Sequence, residues 1–371
     1  MRPTRWRPGC RAVRIDCVST LFVAAGGGGD ALGVLLARQV LEPELDDGDV
    51  FVSTCAWERL RIDPVPGPRS RGDFIGLRLV DGVRAEISTT TDTLPPGRSV
   101  LPRLAGDLDA RLFLHDLADG AIGLAQQLQH LARALGADSL TVVDVGGDVV
   151  ARGDEPGLLS PLADSLTLAA ALRSDLPVRL AVVGPGVDGE LPAEQVIAIL
   201  GGLGGTRVGT LGTADVNRVG DSLGWHPTEA TTLAAAAARG LRGAVEMRRG
   251  QTPVPVSEAS ATVWRLDVVE THDFPLAEAL IDTRSLGSAE TIIRGITVDE
   301  LDYERRRARE RREIPPRTVT AADIAHASLA RGASHITTRR LLEATSGDVP
   351  SYESARFDGL GLWALEALAR G

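Results

Sequence analysis

Lysine is absent from this sequence. All 40 basic side chains are arginine, and with 50 acidic residues they leave a formal net charge of −10. Without lysine the chain can contain neither a Schiff-base lysine nor the lysine of a phosphate-binding P-loop. The acidic balance also gives no general attraction for nucleic acid, so we expect no nucleic-acid partner.

Cysteine and long apolar runs are also scarce. Cys10, Cys17 and Cys55 form neither a CxxC pair nor a zinc-binding spacing. Such a low, odd count is typical of a reducing compartment, so we expect a cytoplasmic protein in which Cys17 and Cys55 are inert core residues. The apolar run at residues 18–25 breaks into glycines and is too short for a secretory signal. No stretch is long enough to span a membrane, and we expect no membrane partner.

The chain of 371 residues has the composition of an ordinary globular protein, with 43% hydrophobic and 24% charged residues. Apolar strands alternate with helical segments, which predicts a doubly wound, mostly parallel α/β sheet of the Rossmann-like kind. We expect a disordered N-terminus at residues 1–14, an α/β domain at 15–303 and a helical C-terminal extension at 304–371. A faint helix-turn-helix pattern in that extension is outweighed by the acidic total.

Three corners of the chain share one pattern, in which an apolar strand ends in a glycine-rich acidic loop and a helix follows. These loops lie at residues 26–30, 144–148 and 184–190. In a parallel sheet they would open at the same carboxyl edge, where such sheets bind ligands, and backbone N–H groups at a helix start can hold an anion. The alternative is that they are ordinary Gly/Asp turns. The binding residues that the pattern predicts are Gly27, Gly28, Gly29, Asp30, Gly146, Gly147, Asp188 and Glu190; Asp30 is also the expected N-cap of the first helix.

Acidic residues are concentrated after the apolar strand at residues 140–145. The candidates for catalysis are Asp144, Asp148, Asp154 and Glu155. Carboxylates of this kind could bind Mg²⁺ through oxygen, or could transfer protons if burial and mutual repulsion raise a pKa. We expect Asp148 and Asp154 to matter most, with Asp144 closing the strand and Glu155 facing solvent.

A further acid, Asp116, follows the short strand at residues 111–114 and stands beside His115. The two could form an acid–base pair at a strand end. A structural role for a lone histidine is the alternative.

Arginine surrounds the loop after the second strand, at residues 57–69. Pro64, Pro66 and Pro68 stiffen this loop, and a stiff loop presents guanidinium groups at little entropic cost. We predict that Arg59 and Arg69 bind the anionic part of a substrate, because arginine forms bidentate contacts with phosphate and carboxylate. Pairing with Glu58 or Asp63 is the alternative. Trp57 and Glu58 complete the predicted binding set.

The order of these motifs resembles the family called Domain of Unknown Function 1152, found in archaea and actinobacteria. The resemblance covers residues 18–303 and is most specific at residues 144–158. The family carries no activity, so the resemblance implies the fold and the position of the site only. The segments that carry it are residues 26–30, 57–59 with 63–69, 144–158 with 160–162, 186–191, 228–230 and 301–303.

The sequence therefore predicts an enzyme that acts on a small anionic metabolite bearing phosphate or carboxylate. No Gly-x-Ser-x-Gly motif is present, so hydrolase, lyase or cyclase chemistry by aspartate acid–base or Mg²⁺-assisted catalysis is favoured over serine chemistry. The alternative is a nucleotide- or metabolite-binding module without turnover. The identity of any metal and the formation of a homo-oligomer stay open.

Overall fold

The computed structural model describes residues 20–44, 50–248, 253–268, 270–313, 319–345 and 355–370. Its strands are β1 Thr20–Ala24, β2 Phe51–Thr54, β3 Phe74–Ile75, β4 Arg78–Val80, β5 Val83–Ile87, β6 Asp92–Thr93, β7 Arg111–Leu114, β8 Ser139–Val145, β9 Val178–Val183, β10 Thr206–Thr210, β11 Gly243–Glu246, β12 Val254–Val256, β13 Thr262–Val268, β14 His335–Thr337 and β15 Leu362–Ala364.

The helices lie mostly between these strands, as expected for an alternating α/β chain. They are α1 Gly28–Leu41, α2 Leu101–Asp107, α3 Gly120–Leu135, α4 Pro161–Arg173, α5 Ala193–Gly202, α6 Thr213–Trp225, α7 Ala230–Ala238, α8 Pro275–Leu280, α9 Leu286–Arg294, α10 Glu300–Glu313, α11 Ala321–Ala330, α12 Thr338–Ala344 and α13 Leu365–Arg370.

The main sheet contains nine strands within the described residues, in the order β10-β13-β9-β8-β1-β2-β7-β5-β4. Its central strands β9, β8, β1, β2 and β7 are parallel, and the edge strands pair antiparallel. The predicted mostly parallel sheet is confirmed. From β1 the chain builds one half of the sheet through β2 and β7 and later the other through β8 and β9. The strand order therefore reverses between β1 and β8, where parallel sheets open a crevice at their carboxyl ends.

Burial explains why these strands form the centre. Every residue of β1 and β8 is buried, as expected for parallel strands covered by helices on both faces. Helix α4 follows the acidic loop after β8, and its residues 161–171 are all buried. A polar side chain on such a helix is therefore held inside the protein. Among the described residues no helix has the length and apolar character needed to cross a bilayer.

Two local predictions differ from the structure. Helix α1 begins at Gly28 with Gly27 as its N-cap, so Asp30 lies inside the first turn and is not the cap. The C-terminal segment, predicted as helical, also contains β14 and β15. They form a small sheet of order β12-β11-β14-β15 with two strands of the preceding domain.

Some predictions fall on residues outside the described ranges. The disordered N-terminus at residues 1–14 and the core position of Cys17 belong to that group. Cys55 is buried, as predicted, and its thiol donates to the carbonyl of Gly26 over 3.3 Å. It therefore braces the glycine-rich loop that follows β1.

Candidate functional site

A cleft of about 130 Å³ opens at the carboxyl edge of the central strands, beside the point where the strand order reverses. The loops after β1, β2, β8 and β9 all contribute to its walls, as the three-corner pattern predicted. The starts of α4 and α10 and the segments around residues 226–230 and 247–248 complete it. Four strand-end loops therefore meet at one site.

Three carboxylates converge in this cleft from separate elements: Asp30 from α1, Asp144 from β8 and Asp164 from α4. One oxygen of each lies within 4.8 Å of the others, a spacing that could hold a metal ion. Gly26 lies directly against two of them: a Cβ at this position would sit 2.8 Å from Asp30 and 2.9 Å from Asp164. Its backbone N–H donates to Asp30 over 2.6 Å. The glycine thus lets the acids approach the turn.

Burial makes this cluster unfavourable for three negative charges. It raises the pKa of Asp30 to about 7, and it raises the pKa values of Asp144 and Asp164 well above their ordinary range, helped by repulsion among the acids. The outer oxygen Oδ2 of Asp144 is buried without a hydrogen-bond partner among the described residues. Carboxylates in this position either retain protons or share a cation.

Two more aspartates stand beside the cluster. Burial, followed by repulsion from Asp164 and Glu190, raises the pKa of Asp148. Asp188 has a pKa of about 7 because burial and Glu190 raise it. One of its oxygens accepts from the N–H of Glu190 over 2.9 Å, and the other is buried without a partner in the described part of the chain.

The glycines of the β8 loop provide space and do not line the cleft. A Cβ on Gly146, where φ is +129°, would lie 2.4 Å from the carboxyl group of Asp188. A Cβ on Gly147, where φ is +113°, would collide with Val196. Only glycine combines this conformation with such contacts. The predicted binding role of Gly146 and Gly147 is therefore indirect, because they allow Asp188 and the neighbouring helix to approach.

Glu190, which also lines the cleft, has several strong partners. Its carboxylate accepts from the N–H groups of Leu159 and Ser160 over 2.7 and 3.0 Å, and from the hydroxyl of Ser160. The guanidinium of Arg248 lies 2.5 Å from it. Burial would raise the pKa of Glu190, but Arg248 and these hydrogen bonds hold it below its ordinary value. Arg248 itself adopts a left-handed backbone conformation with φ of +52°.

Arg59 lines the cleft, and its predicted binding of an anionic substrate stays a prediction. Its guanidinium lies 3.4 Å from Glu300 at the start of α10. Burial raises the pKa of Glu300 to about 8 even though Arg59 opposes that shift. Trp57 also lines the cleft, and its Nε1 donates to Glu304 over 3.0 Å. These contacts fasten α10 over the loop after β2.

Two predicted members of that loop have structural partners. Glu58 lines the cleft, but it accepts from the N–H of Val100 over 2.8 Å and from the hydroxyl of Ser99 over 2.9 Å, at the start of α2. Arg69 lies 3.2 Å from Asp63 and donates to the carbonyls of its own loop. The prediction that Arg69 points to the acids is wrong, and pairing with Asp63, the alternative, is what forms.

Three predicted catalytic acids lie outside the cleft lining. Asp154 is exposed. Glu155 was expected to face solvent but is buried, and it accepts from the N–H groups of Arg152 and Gly153 over 2.8 and 2.9 Å. Asp116 accepts from the N–H of Arg71 over 2.8 Å. His115 is hydrogen-bonded to Ser53 over 3.0 Å, so the predicted acid–base pair is not what these residues form.

Sequence reasoning missed several cleft residues. Asp164 had a usable signal, since it is an acid in the first turn of an otherwise apolar helix. Arg248, Glu300 and His226 had none, because their positions depend on contacts between distant segments. His226 is buried, and its Nδ1 accepts from the N–H of Thr228 over 3.1 Å.

A second, wider chamber of about 460 Å³ adjoins the cleft. The two spaces share Arg59, Ser160, Arg248 and Glu300 among their walls. The wider chamber adds apolar surface from Leu60, Leu159 and Tyr303. Arg339 also lines both spaces, so a molecule that reaches the acids through the chamber would pass three arginines, and the chamber has room for its organic part.

Comparison with known proteins identifies the family. The chain belongs to the family described as Protein of unknown function (DUF1152), whose sequence model matches residues 21–308. The resemblance carried by the motifs is thus confirmed. No curated protein and no solved structure matches the chain. Inference about function therefore depends on the chemistry of the cleft.

Proposed function

We propose that this member of the DUF1152 family is an enzyme that uses a divalent cation, Mg²⁺ in the first instance, to act on a small anionic metabolite. The observation that carries the proposal is the convergence of Asp30, Asp144 and Asp164 within 4.8 Å, together with the buried, unpartnered oxygen of Asp144. A cation would supply the positive charge that these carboxylates lack.

The ligand types favour a hard cation. Carboxylate oxygens suit Mg²⁺, Ca²⁺ and Mn²⁺, whereas zinc and copper sites usually contain histidine or cysteine. Mg²⁺ commonly keeps several waters and takes only a few carboxylates, and three carboxylates facing an open cleft fit that habit. Such an ion polarises a substrate oxygen or lowers the pKa of a bound water.

Asp148 and Asp188 are suited to proton transfer beside the ion. Burial raises the pKa of Asp188 to about 7, so Asp188 can carry a proton near neutral pH, where an ordinary aspartate cannot; burial raises the pKa of Asp148 as well. A nearby cation lowers these pKa values again, so the same groups can also accept a proton. Enzymes that catalyse hydrolysis, elimination or cyclisation can use this combination of a Lewis acid with a proton donor or acceptor.

The surroundings favour an anionic substrate. A cleft with this many carboxylates would repel an anion on its own, but Arg59 and Arg248 stand where the cleft meets the wider chamber. The chamber volume of about 460 Å³ accommodates the organic part of a small metabolite. The low cysteine content supports a reducing, cytoplasmic location.

Calorimetric titration with Mg²⁺ tests the proposal. We expect wild-type protein to bind Mg²⁺ and Asp144→Asn to bind it at least about 100-fold more weakly, since even second-shell changes at metal sites cost 10–100-fold. The matched control is Asp154→Asn, an exposed acid outside the cleft in the same loop. Equal Mg²⁺ binding by wild type and Asp144→Asn would overturn the metal site.

A product assay separates the enzyme from the binding module. Phosphorylated and carboxylated metabolites that shift the melting temperature in the presence of Mg²⁺ would be incubated with the protein and analysed by mass spectrometry. The proposal expects a product that forms with wild type and Asp154→Asn, and not with Asp144→Asn. Stabilising ligands that are recovered unchanged would favour the non-catalytic module.

A further inference from the structure

The glycine-rich loop after β1 contacts two chemically different regions of the cleft. Gly26 lies against the carboxylates of Asp30 and Asp164. Gly28 lies against His226, and a Cβ on Gly29 would be 2.8 Å from the hydroxyl oxygen of Thr228. The acids and the histidine thus meet different residues of one short turn.

Helix α1 begins at this turn without a side-chain cap. It runs for 14 residues from Gly28, and its N-cap is Gly27, which has no side chain to accept from the first N–H groups. Among the described residues, neither the N–H of Gly28 nor that of Gly29 donates to a backbone carbonyl. Both glycines line the cleft. Free N–H groups at the positive end of a helix attract anions.

His226 provides an independent donor at the same place. Its side chain is buried with a residue exposure of 6%. Because Nδ1 accepts from the N–H of Thr228, the neutral ring carries its proton on Nε2. That Nε2 has no partner among the described residues and lies 3.4 Å from the position of a Cβ on Gly28. A buried N–H directed at a bare helix terminus indicates a missing acceptor.

We propose that the N–H groups of Gly28 and Gly29 and the Nε2–H of His226 form a binding site for a phosphate group of the substrate. Three donors from two elements suit the several terminal oxygens of a phosphate better than the two oxygens of a carboxylate. Asp30, in the first turn of α1, is directed away from these three donors, because its carboxylate accepts from the N–H of Gly26. That the phosphate belongs to a substrate rests on the proposed function; the anion site itself does not.

Inorganic phosphate is the probe. Its binding to the full-length protein would be measured by calorimetry, once with a chelator and once with Mg²⁺, with acetate in parallel. We expect wild type to bind phosphate more tightly than acetate under both conditions. A wild-type protein that binds no phosphate, or that binds acetate equally well, would overturn the proposal.

Variants locate the binding. Gly28→Ala adds a methyl group 3.4 Å from His226 Nε2 and 3.1 Å from the Cδ2 methyl group of Leu101. The position is helical and favours alanine, and a small shift of the Leu101 side chain makes room, so the fold should be retained. Its matched control is Gly201→Ala in α5, where a Cβ meets nothing within 4 Å. We expect Gly28→Ala and His226→Leu each to weaken phosphate binding by about 10-fold or more, because a hydrogen bond to a charged group is lost or blocked.

The rescue variant is His226→Gln, whose amide N–H can replace Nε2–H, and we expect it to bind phosphate within a few-fold of wild type. Phosphate affinity that is unchanged in both Gly28→Ala and His226→Leu contradicts the site. Mg²⁺ titration of the same variants separates this result from the proposed function: Asp144→Asn should lose Mg²⁺ and keep phosphate in chelator, while Gly28→Ala should do the reverse.

Discussion

The ends of strands β8 and β7 carry the same residue type and differ in what surrounds it. Asp144 at the end of β8 has an oxygen that is buried without a partner among the described residues. Asp116, after β7, accepts from the N–H of Arg71 over 2.8 Å and from the N–H of Ala118 over 2.9 Å. One strand end therefore has unused capacity for an external ligand, and the other uses its acid to hold a loop.

The comparison shows how to tell a site from a turn in a sheet of this kind. Position at the carboxyl edge is shared by both acids, so position alone does not distinguish them. Hydrogen bonding of the carboxyl oxygens does, because a buried oxygen that the protein leaves without a donor costs free energy and persists where a ligand compensates. By the same criterion Glu155 resembles Asp116, because both of its oxygens accept hydrogen bonds. Asp188 resembles Asp144, because one of its oxygens is buried without a partner among the described residues.

Exchanging each acid for its amide gives the largest expected contrast. Asp116→Asn should lower the free energy of unfolding by about 1–3 kcal/mol, because hydrogen bonds to a charged acceptor are replaced by weaker or mismatched ones. Asp144→Asn should leave it unchanged or raise it in chelator, because a crowded buried carboxyl becomes neutral. Urea unfolding of both variants measures this. Equal destabilisation would remove the distinction between the two strand ends.

The next contrast is between Arg59 and Arg69, which both lie in the loop after β2. Arg69 pairs with Asp63 inside the loop, whereas Arg59 lines the cleft. Lysine keeps the charge but loses the planar fork. With the substrate that the product assay identifies, Arg59→Lys should raise KM by about 10-fold at unchanged melting temperature. Arg69→Lys should lower the melting temperature at unchanged KM. A raised KM for both would restore the earlier prediction for Arg69.

The sequence predicted those loops of the site that are encoded by one short, continuous segment. A strand followed by a glycine-rich acidic loop and a helix is encoded within some 20 residues, and the loops at residues 26–30, 144–148 and 184–190 do meet in the cleft. Asp154 was misjudged because Glu155 turns the loop by accepting from two backbone N–H groups, which leaves Asp154 exposed. The spacing of residues in the sequence does not predict that turn.

The missed residues depend on contacts between distant segments. Arg248 follows β11, which pairs with β14 some 90 residues later in the chain. His226 reaches Gly28 from nearly 200 residues away. The strands of the C-terminal segment, β14 and β15, are short, and they pair in a sheet that also contains β11 and β12 from residues 243–256. Short apolar runs of that kind are compatible with helix or strand until their partner is known.

The last contrast concerns His115, the histidine beside Asp116. Burial, with a contribution from Arg71, lowers the pKa of His115 to about 3. An unfolded histidine has a pKa near 6.5, so between these values the unfolded chain binds the proton that the folded protein excludes. The stability that comes from keeping His115 neutral is therefore present above about pH 6.5 and is lost as the pH falls, by at most about 1.4 kcal/mol per unit.

His115→Asn separates this effect from the rest of the protein. Asparagine keeps a polar atom where Nδ1 contacts Ser53, but it does not titrate. Between pH 6.5 and 5.0 we expect wild type to lose about 2 kcal/mol more than the variant in urea unfolding. The acids with raised pKa values shift stability in the opposite direction, and they cancel in the difference because both proteins contain them. Parallel pH curves would mean that His115 titrates normally. A weakened affinity for Mg²⁺ in this variant would instead connect the β7 strand end to the site, against the distinction that its hydrogen bonds support.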